Sequence, residues 1–304
     1  VEFAHRVSLS HLLHYRFGIN PTDIPESILS KHNYTLDTRL TAEHLPALKK
    51  LFTDISSLIL SVADKERKEY LEYLNSIGIY DSGNVAIVDI GYAGTMQESL
   101  YNLNEKNKKI SGYYLITFRK ALERLSANDL DSYGFLGNFI DRHDTFNPFC
   151  KHVPLYETLF SSLDTSFIHI VRNFNGVPQK IFMPPSAKET RRQEVVQDIH
   201  KGGLDFIDDT IRIFSKHLPT LDIEQNKSCR SLVYYFDYPH PRDAEIMNGI
   251  VFEDAYGGIT EKIILPPLSR FEGNYVWKAG FDAIIKARNN KNMHAAPETF
   301  ISSN

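Results

Sequence analysis

The pattern of apolar and polar residues predicts one buried strand around which the chain is organised. Residues 85–88 form a short apolar run rich in β-branched side chains, which is typical of a strand covered on both faces. Asp89 follows the run directly, and a turn containing Gly91 and Gly94 separates it from a segment with apolar residues at helical spacing. The pattern therefore predicts a strand, a glycine-bearing turn and a helix that begins near Thr95.

This predicted turn has features of a phosphate-binding site. Asp89 falls at the C-terminal end of the strand, where open α/β sheets place their ligands. Gly91 and Gly94 allow the backbone to turn tightly and to approach a ligand closely. Thr95 is placed to cap the following helix, whose positive N-terminal end suits a phosphate. Many such turns bind nothing, so the spacing alone leaves both interpretations open.

The turn does not match the common nucleotide-binding motifs. It is neither G-x-G-x-x-G nor G-x-x-x-x-G-K-[ST], so the dinucleotide and P-loop fingerprints are absent from it. The nearest mechanistic analogue is the ribose-phosphate loop of phosphoribosyltransferases, in which a strand ends in acidic residues before a Thr/Gly turn. The present turn is shorter and has one acid, Asp89, in place of two.

The surrounding segments predict an α/β fold with more helix than strand. A second apolar strand is expected at residues 108–117, so that strand, helix and strand have the length of a parallel βαβ unit. A third is expected at 133–139. Helices are predicted over residues 9–17 (capped by Ser8), 42–62, 64–77, 153–160 and 188–214, and from 277 onward. We expect a small, mainly parallel sheet of Rossmann-like βαβ units with a large helical remainder.

The best candidate for a domain boundary lies near the middle of the chain. Asn175 and Gly176 lie between two apolar segments and predict a β-hairpin, which Pro184 and Pro185 close. We expect an α/β domain over residues 1–184 and a mainly helical region packed on it over residues 185–304, with one single domain as the alternative. The first residue is valine, so we also expect a fragment of a longer protein.

Composition and charge exclude some classes of function. The chain has 304 residues and a net charge of −4, which argues against a general nucleic-acid-binding protein. No apolar run approaches the roughly 18 residues of a membrane-spanning helix. The two cysteines, Cys150 and Cys229, form neither a disulfide framework nor a metal-binding spacing. A cytoplasmic protein is the simplest prediction.

Candidate chemistry also occurs outside the turn. Glu157 lies in the predicted helix over residues 153–160 among apolar and aromatic side chains, and a buried carboxylate must be paired or neutralised. It is either a site residue or an ordinary capping or salt-bridged glutamate. An aromatic cluster at 234–238 and the single tryptophan, Trp277, are either stacking surfaces or core beside a loop.

The order of several short motifs resembles one known family. These motifs are HRVS (5–8), VDIGYAGTMQ (88–97), LYETLF (155–160), NGVP (175–178), HKGGLDF (200–206), YPHPRDA (238–244) and WKAGF (277–281). Together they span nearly the whole chain. The chain resembles bacterial polysaccharide-biosynthesis proteins linked to haloacid-dehalogenase-type phosphatases, whose partner domain is similar to glycan phosphoribosyltransferases.

The resemblance implies transfer of a 5-phosphoribosyl group from phosphoribosyl diphosphate to a hydroxyl of a surface glycan, such as a capsule or O-antigen. In this scheme Gly91, Tyr92, Gly94 and Thr95 cradle a phosphate, and Gln97 adds a hydrogen-bond donor. Family members also carry an upstream Arg-Asp-Gly element and a phosphatase domain, which this sequence does not contain. Partners are therefore expected among upstream phosphatase or glycosyltransferase domains. The protein itself is expected in the cytoplasm or at the periphery of the inner membrane.

The resemblance also assigns roles to residues outside the turn. Asp89 would bind ribose hydroxyls or a Mg²⁺ that bridges the diphosphate. Arg6 would pair with diphosphate oxygens. Glu157 would act as general base for the acceptor hydroxyl or stabilise an oxocarbenium-like transition state. Trp277 and Tyr238 would stack against sugar rings of the acceptor.

Three other functions compete with this hypothesis. A haloacid-dehalogenase-type phosphatase needs a second acid two residues after its aspartate nucleophile, and Gly91 occupies that position after Asp89. That function is therefore disfavoured for this chain. A non-catalytic glycan-binding or assembly module of a multi-domain protein remains open. A glycosyltransferase that uses a nucleotide sugar also remains open, because the sugar diphosphate would fit the same turn.

Overall fold

A computed structural model describes residues 7–81, 83–104, 108–184, 187–254, 260–266 and 275–294. It is mixed α/β, with a small three-stranded parallel sheet and a large helical remainder, which confirms the coarse prediction of the fold. The helices are α1 Leu9–Phe17, α2 Glu26–Lys31, α3 Leu45–Asp54, α4 Ser56–Ser76, α5 Thr95–Leu103, α6 Arg119–Ser126, α7 Pro148–Phe160, α8 Ala187–Phe214, α9 Gln225–Ser228, α10 Arg230–Asp237, α11 Pro241–Ile246 and α12 Lys278–His294. The strands are β1 Ala86–Asp89, β2 Ser111–Tyr114, β3 Ser132–Gly134, β4 Phe167–Arg172, β5 Pro178–Phe182, β6 Val251–Asp254 and β7 Thr260–Ile263.

The chain divides into two compact units. The first consists of Val1–Gly134, Asp164–Pro184 and Glu253–Glu261. The second consists of Phe135–Leu163, Pro185–Phe252 and Lys262–Asn304. The chain enters the second unit after Pro184, the position of the predicted boundary. It also enters the second unit earlier, so that α7 belongs there.

The parallel sheet of the first unit has the order β1–β2–β3, with α5 and α6 as its connections. Its register aligns Val88, Tyr113 and Tyr133 in one row across the strands. All three are exposed, and Val88 is 89% exposed. The prediction that this strand is covered on both faces is therefore wrong. The strands are added in the order β1, β2, β3, each on the same side of the one before. Right-handed crossovers in such a succession place both connecting helices on one face of the sheet, and the other face stays uncovered.

Helices α1 to α4 build a separate apolar core in the first unit. Ser8 caps α1 as predicted, because its side chain accepts the His11 N–H at 3.1 Å. The predicted helices 42–62 and 64–77 are divided differently: the chain bends at Ile55, and α4 continues unbroken through the expected break. The bend places Ile55 inside the core, which outweighs the continuity of the helical pattern.

The predicted hairpin is confirmed and also belongs to the first unit. Strands β4 and β5 pair in antiparallel fashion around the turn at Asn175 and Gly176, and Gly176 has a φ of 74°. Arg172 at the end of β4 forms ion pairs with Glu69 and Glu72 on α4. The hairpin is thereby fixed to the longest helix of its own unit.

The second unit is built from helices around an aromatic core. Its largest fully buried side chains are Phe149, Tyr156, Phe236 and Trp277. Helix α8 starts and ends close to the predicted positions, but only its first half is packed. Its second half exposes the apolar residues Phe206, Ile207 and Ile211.

Candidate functional site

The turn between β1 and α5 begins with a hydrogen bond from a main-chain donor to a side chain. The Asp89 Oδ1 atom accepts the Gly91 N–H at 2.7 Å. A Cβ at position 91 would lie 2.8 Å from Asp89 Oδ2, so only glycine leaves room for the carboxylate. The Gly91 N–H therefore binds Asp89 and does not point to a ligand, which corrects its predicted role as a phosphate donor. Asp89 itself is half-buried at the C-terminal end of the sheet.

Gly94 has the special conformation in this turn. It is the N-cap of α5, with φ 66° in the left-handed region, and no side chain caps the helix there. A Cβ at this position would lie 2.8 Å from a methyl group of Leu125 on α6. The prediction that Thr95 caps the helix is wrong, because Thr95 is already its first residue. Because α6 packs closely on the turn, position 94, immediately before Thr95, requires glycine.

The start of α5 retains the features of an anion site. The first hydrogen bond within the helix runs from the Glu98 N–H to the Gly94 carbonyl oxygen at 3.1 Å. The N–H groups of Thr95, Met96 and Gln97 have no acceptor within their own helix, as at any helix N-terminus. They add to the positive end of the helix dipole beside Asp89.

A cation that the sequence did not indicate lies beside this helix end. The Arg124 Nη1 group on α6 donates to the Ala93 carbonyl oxygen at 3.0 Å and to Thr95 Oγ1 at 2.5 Å. Its Nε group forms an ion pair with Glu98 at 2.8 Å. Arg124 thus ties α6 to the turn and places a guanidinium next to the start of α5. Its only sequence signal is a place on an amphipathic helix.

Gln97 has a different role from the one predicted. Its side chain is fully buried, and its Nε2 group donates to the Ile110 and Asp131 carbonyl oxygens at 2.7 and 2.8 Å. Its Oε1 atom accepts the Tyr114 hydroxyl at 2.9 Å. Because both amide hydrogens serve the starts of β2 and β3, neither is available to a phosphate. Gln97 is a structural anchor beneath the sheet.

Tyr92 is the other residue of the turn to which a phosphate contact was assigned. The Tyr92 ring packs against Phe118 with centroids 4.6 Å apart, and the Phe118 N–H donates to the Tyr92 carbonyl oxygen at 2.8 Å. Burial, and next the charge of Asp89, raise the pKa of Tyr114 far above its usual value, so its hydroxyl keeps its proton. The phosphate contact assigned to Tyr92 stays a prediction.

The two aromatic residues assigned to sugar stacking differ in exposure. Trp277 is 2% exposed, and its Nε1–H donates to the Phe236 carbonyl oxygen at 2.8 Å. It belongs to the core of the second unit, which corrects its predicted role. Tyr238 is 71% exposed, and its ring centroid lies 5.4 Å from that of the exposed Tyr234. These two rings form an accessible aromatic pair at the end of α10.

The remaining predicted residues are placed as follows. Glu157 is half-buried on α7 and belongs to the second unit, whereas Asp89 belongs to the first. Their cooperation in one catalytic site stays a prediction. Arg6 lies outside the described residues.

The expected Mg²⁺ has one candidate protein ligand in the turn. Across the described ranges, no group of three or more His, Cys, Asp or Glu side chains forms a ready-made metal site. Mg²⁺ is usually bound through one or two carboxylates together with substrate phosphates and water. Asp89 fits that mode as the single carboxylate, with a diphosphate supplying further oxygen ligands.

An ionisable pair in the second unit, formed by a buried histidine and a half-buried aspartate, was not predicted. His152 is buried at a kink in α7, and its Nε2 atom lies 3.0 Å from Asp237 Oδ1 on α10. Lys151 lies 2.5 Å from the same oxygen. Burial lowers the pKa of His152, and the hydrogen bond to Asp237 opposes that effect only in part. The pair joins α7 to α10 across 85 residues of sequence, so no local pattern indicates it.

Comparison with known proteins adds no assignment: no family model matches the chain, and a search of curated proteins finds no match. Nor does any helix in the described segments combine the length and apolar character needed to cross a bilayer. The fold and the turn define a mixed α/β protein with a strand, an aspartate and a glycine turn before a helix.

Proposed function

We propose that the turn between β1 and α5 binds a phosphate of a sugar-diphosphate donor and that the chain is a glycosyltransferase. The donor is phosphoribosyl diphosphate. A glycan hydroxyl oxygen bonds to C1 of the ribose, the bond from C1 to the diphosphate breaks, and the hydroxyl proton passes to a base. The observation that carries the proposal is the placement of Asp89 at the end of a parallel strand, in the turn before α5 to which Arg124 also donates.

Positive and negative groups at the turn would bind different parts of the donor. The free N–H groups at the start of α5 and the guanidinium of Arg124 favour phosphate oxygens. Arg124 already pairs with Glu98, so a phosphate would join or replace that carboxylate. Asp89 carries the opposite charge and would bind ribose hydroxyls or share a Mg²⁺ with the diphosphate. Thr95 Oγ1, next to Arg124, would add a hydroxyl donor.

The resemblance supports the finer parts of this proposal. It names 5-phosphoribosyl as the transferred group and a surface glycan as the acceptor, and it assigns the general base to Glu157 and a diphosphate contact to Arg6. The parallel succession of β1, α5, β2, α6 and β3 supports Rossmann-like units as the donor-binding part. A nucleotide sugar would offer the same diphosphate to the same turn, so both donors belong in one experiment.

Calorimetric titration with phosphoribosyl diphosphate and Mg²⁺ tests the donor site. We expect saturable binding that Asp89→Asn and Arg124→Gln each weaken at least about tenfold. Asp89→Asn weakens the contact with Mg²⁺ or the ribose hydroxyls, and Arg124→Gln removes the cation that favours phosphate oxygens. Asp131→Asn is the matched control, since that exposed residue lies before β3, at the opposite end of the sheet. Circular dichroism verifies that every variant is folded.

The outcomes of this titration separate the hypotheses. Absence of binding by the folded wild type would reject the donor site. Binding that survives both substitutions would place the ligand elsewhere on the chain. Tighter binding of a nucleotide sugar than of phosphoribosyl diphosphate would keep the turn as a diphosphate site and reject the phosphoribosyl donor.

The exposed pair Tyr234 and Tyr238 favours a second candidate, a non-catalytic glycan-binding module. Exposed aromatic faces supply large, rigid contact area for a flat partner such as a sugar ring. An array of bacterial surface oligosaccharides tests it: retention that Tyr238→Ala abolishes, without any binding of sugar diphosphates, would favour the binding module over the transferase.

A further inference from the structure

The second half of α8 exposes an unusual amount of apolar surface. We name residues 201–214 the distal arm. Six of its large apolar side chains are each at least 42% exposed: Leu204, Phe206, Ile207, Ile211, Ile213 and Phe214. In the first half of the same helix, Val195 and Val196 are buried. The helix therefore continues beyond the body that packs against it while keeping an apolar composition.

The apolar residues of the distal arm occupy one side of the helix. At 100° per residue they cover about half of its circumference, with Leu204, Ile207, Ile211 and Phe214 at the 3-4-3 spacing of a helix-pairing seam. The charged residues lie on the opposite side and pair among themselves, Lys201 with Asp205 at 2.5 Å and Asp209 with Arg212 at 2.7 Å. Such segregation is typical of a helix that buries its apolar side.

Two adjacent glycines in the distal arm have no local explanation. Glycine is the least favourable helix residue after proline, yet α8 continues through Gly202 and Gly203 as one helix. A Cβ built at either position meets no described atom within 4 Å. Gly203 lies on the apolar side of the helix, where a missing side chain allows another backbone to come close. This indicates a second helix as the occupant of that side.

We propose that the distal arms of two copies of this chain pair in antiparallel fashion across a two-fold axis. A stable interface buries at least about 1,200 Å² in total, and the pair brings together twelve apolar side chains, six from each copy, that are each at least 42% exposed. The apolar side carries no charged residue, so nothing repels an identical arm. A two-fold axis at the level of Asp209 along the helix places Ile207 of one copy opposite Ile211 of the other, and Leu204 opposite Phe214.

The charges of the distal arm argue against a membrane as the occupant. Interfacial membrane helices carry lysine and arginine on their polar side. Here Asp205, Asp208 and Asp209 outnumber Lys201 and Arg212, so an anionic lipid surface would not attract this side. An apolar protein surface therefore fits this side of the helix better than a membrane does. The distal arm of a second copy offers such a surface.

Sedimentation equilibrium of the full chain tests the pairing. We expect a dimer whose dissociation constant rises at least about tenfold in the double variant Ile207→Asp, Ile211→Asp, because both charges would enter the seam. Leu60→Asp is the matched control: Leu60 is 63% exposed on α4 in the other unit, and its replacement should leave the dimer unchanged. Circular dichroism verifies that helix content is retained.

Gly203→Ala gives the sharper result. Alanine favours the isolated helix, so a merely structural effect would raise thermal stability and leave association unchanged. If another backbone lies against Gly203, the added methyl group should weaken the dimer about tenfold while the helix becomes more stable. A wild-type monomer at every accessible concentration would overturn the proposal. So would a dimer insensitive to the seam variants, or a monomer that instead sediments with phosphatidylglycerol vesicles.

Discussion

Gln97 in the first unit and Trp277 in the second are both buried anchors, and both hold the structure through main-chain carbonyl groups. Gln97 donates to two carbonyl oxygens and accepts one hydroxyl. Trp277 donates to a single carbonyl oxygen and otherwise contacts aromatic rings, with Tyr235 centred 5.2 Å away. One anchor therefore depends on a complete set of hydrogen bonds, and the other depends on packing.

The surroundings of the two anchors share one feature, a neighbouring glycine, and differ in the kind of side chain that completes them. Gly112 on β2 provides the space for Gln97, because a Cβ there would collide with its Oε1 atom and with the Tyr114 ring. The Trp277 ring also lies against a glycine, because a Cβ at Gly280 would lie 2.6 Å from it. Its other neighbours are large side chains, including Phe236 at a centroid distance of 6.4 Å. Both anchors therefore need a glycine beside them, but Gln97 satisfies polar groups whereas Trp277 fills volume. This chemical difference determines how each should respond to substitution.

The largest expected effect is at Trp277. Trp277→Ala should lower the free energy of unfolding by about 4 kcal/mol, because it removes a buried aromatic side chain and leaves a cavity. Urea denaturation measures the change. Tyr238→Ala, at an exposed ring of the same unit, should change it by less than about 0.5 kcal/mol. Equal effects at the two positions would contradict the assignment of Trp277 to the core.

Replacement of Gln97 tests the polar anchor. Gln97→Leu keeps the volume but removes the Gln97 partner of the Ile110 carbonyl oxygen and of the Tyr114 hydroxyl. The Asp131 carbonyl oxygen loses one of two donors and keeps the Gly112 N–H at 2.9 Å. At about 1–3 kcal/mol for each unsatisfied buried group, partly offset by relaxation, we expect a loss of about 3 kcal/mol in unfolding free energy. Urea denaturation measures this change as well.

A second glutamine provides a control for this anchor, because it is less buried and makes fewer hydrogen bonds. Gln193 is more accessible and donates to one carbonyl oxygen, that of Leu163, at 2.7 Å. Gln193→Leu should therefore cost no more than about 1 kcal/mol. If Gln97→Leu costs as little, the three hydrogen bonds of Gln97 do not determine the stability of the sheet.

Local signals in the sequence predicted local structure well. Ser8 as a helix cap, the hairpin at Asn175 and Gly176, and the strand–turn–helix around Asp89 were each predicted from adjacent residues. Their geometry is set within a few residues by main-chain preferences and capping hydrogen bonds. The coarse fold, a small parallel sheet with a large helical remainder, follows from the same signals.

The candidate site was predicted less well because its contacts are distant in sequence. Arg124 reaches the turn from 31 residues away, and Gln97 reaches a carbonyl oxygen 34 residues away. Trp277 binds a carbonyl oxygen 41 residues before it. The sequence showed a polar residue after a turn and an aromatic residue before a helix. Only the fold decides whether such side chains face a ligand or the interior.

The smallest expected effect is a difference between the two anchors in how their local stability responds to acidification. The Gln97 network contains an amide, carbonyl oxygens and a tyrosine of raised pKa, so nothing in it titrates between about pH 7 and pH 5. The region around Trp277 includes Phe236, whose ring lies 5.1 Å from that of His152. Burial lowers the pKa of His152 below its usual value of 6.5. The unfolded chain therefore binds a proton at higher pH than the folded chain does.

The sign of the effect follows from that difference in proton binding. Stability linked to His152 is present above pH 6.5 and declines as the pH falls below that value, because the unfolded state gains the proton first. Asp237 stays charged throughout: burial raises its pKa, but the hydrogen bonds from Lys151 and His152 outweigh burial and lower it overall. Hydrogen exchange, corrected for intrinsic rates, should lose protection in α7 and α10 on acidification while α5 and β2 keep theirs. His152→Gln should abolish the dependence in α7; its persistence in that variant would assign the effect to another group.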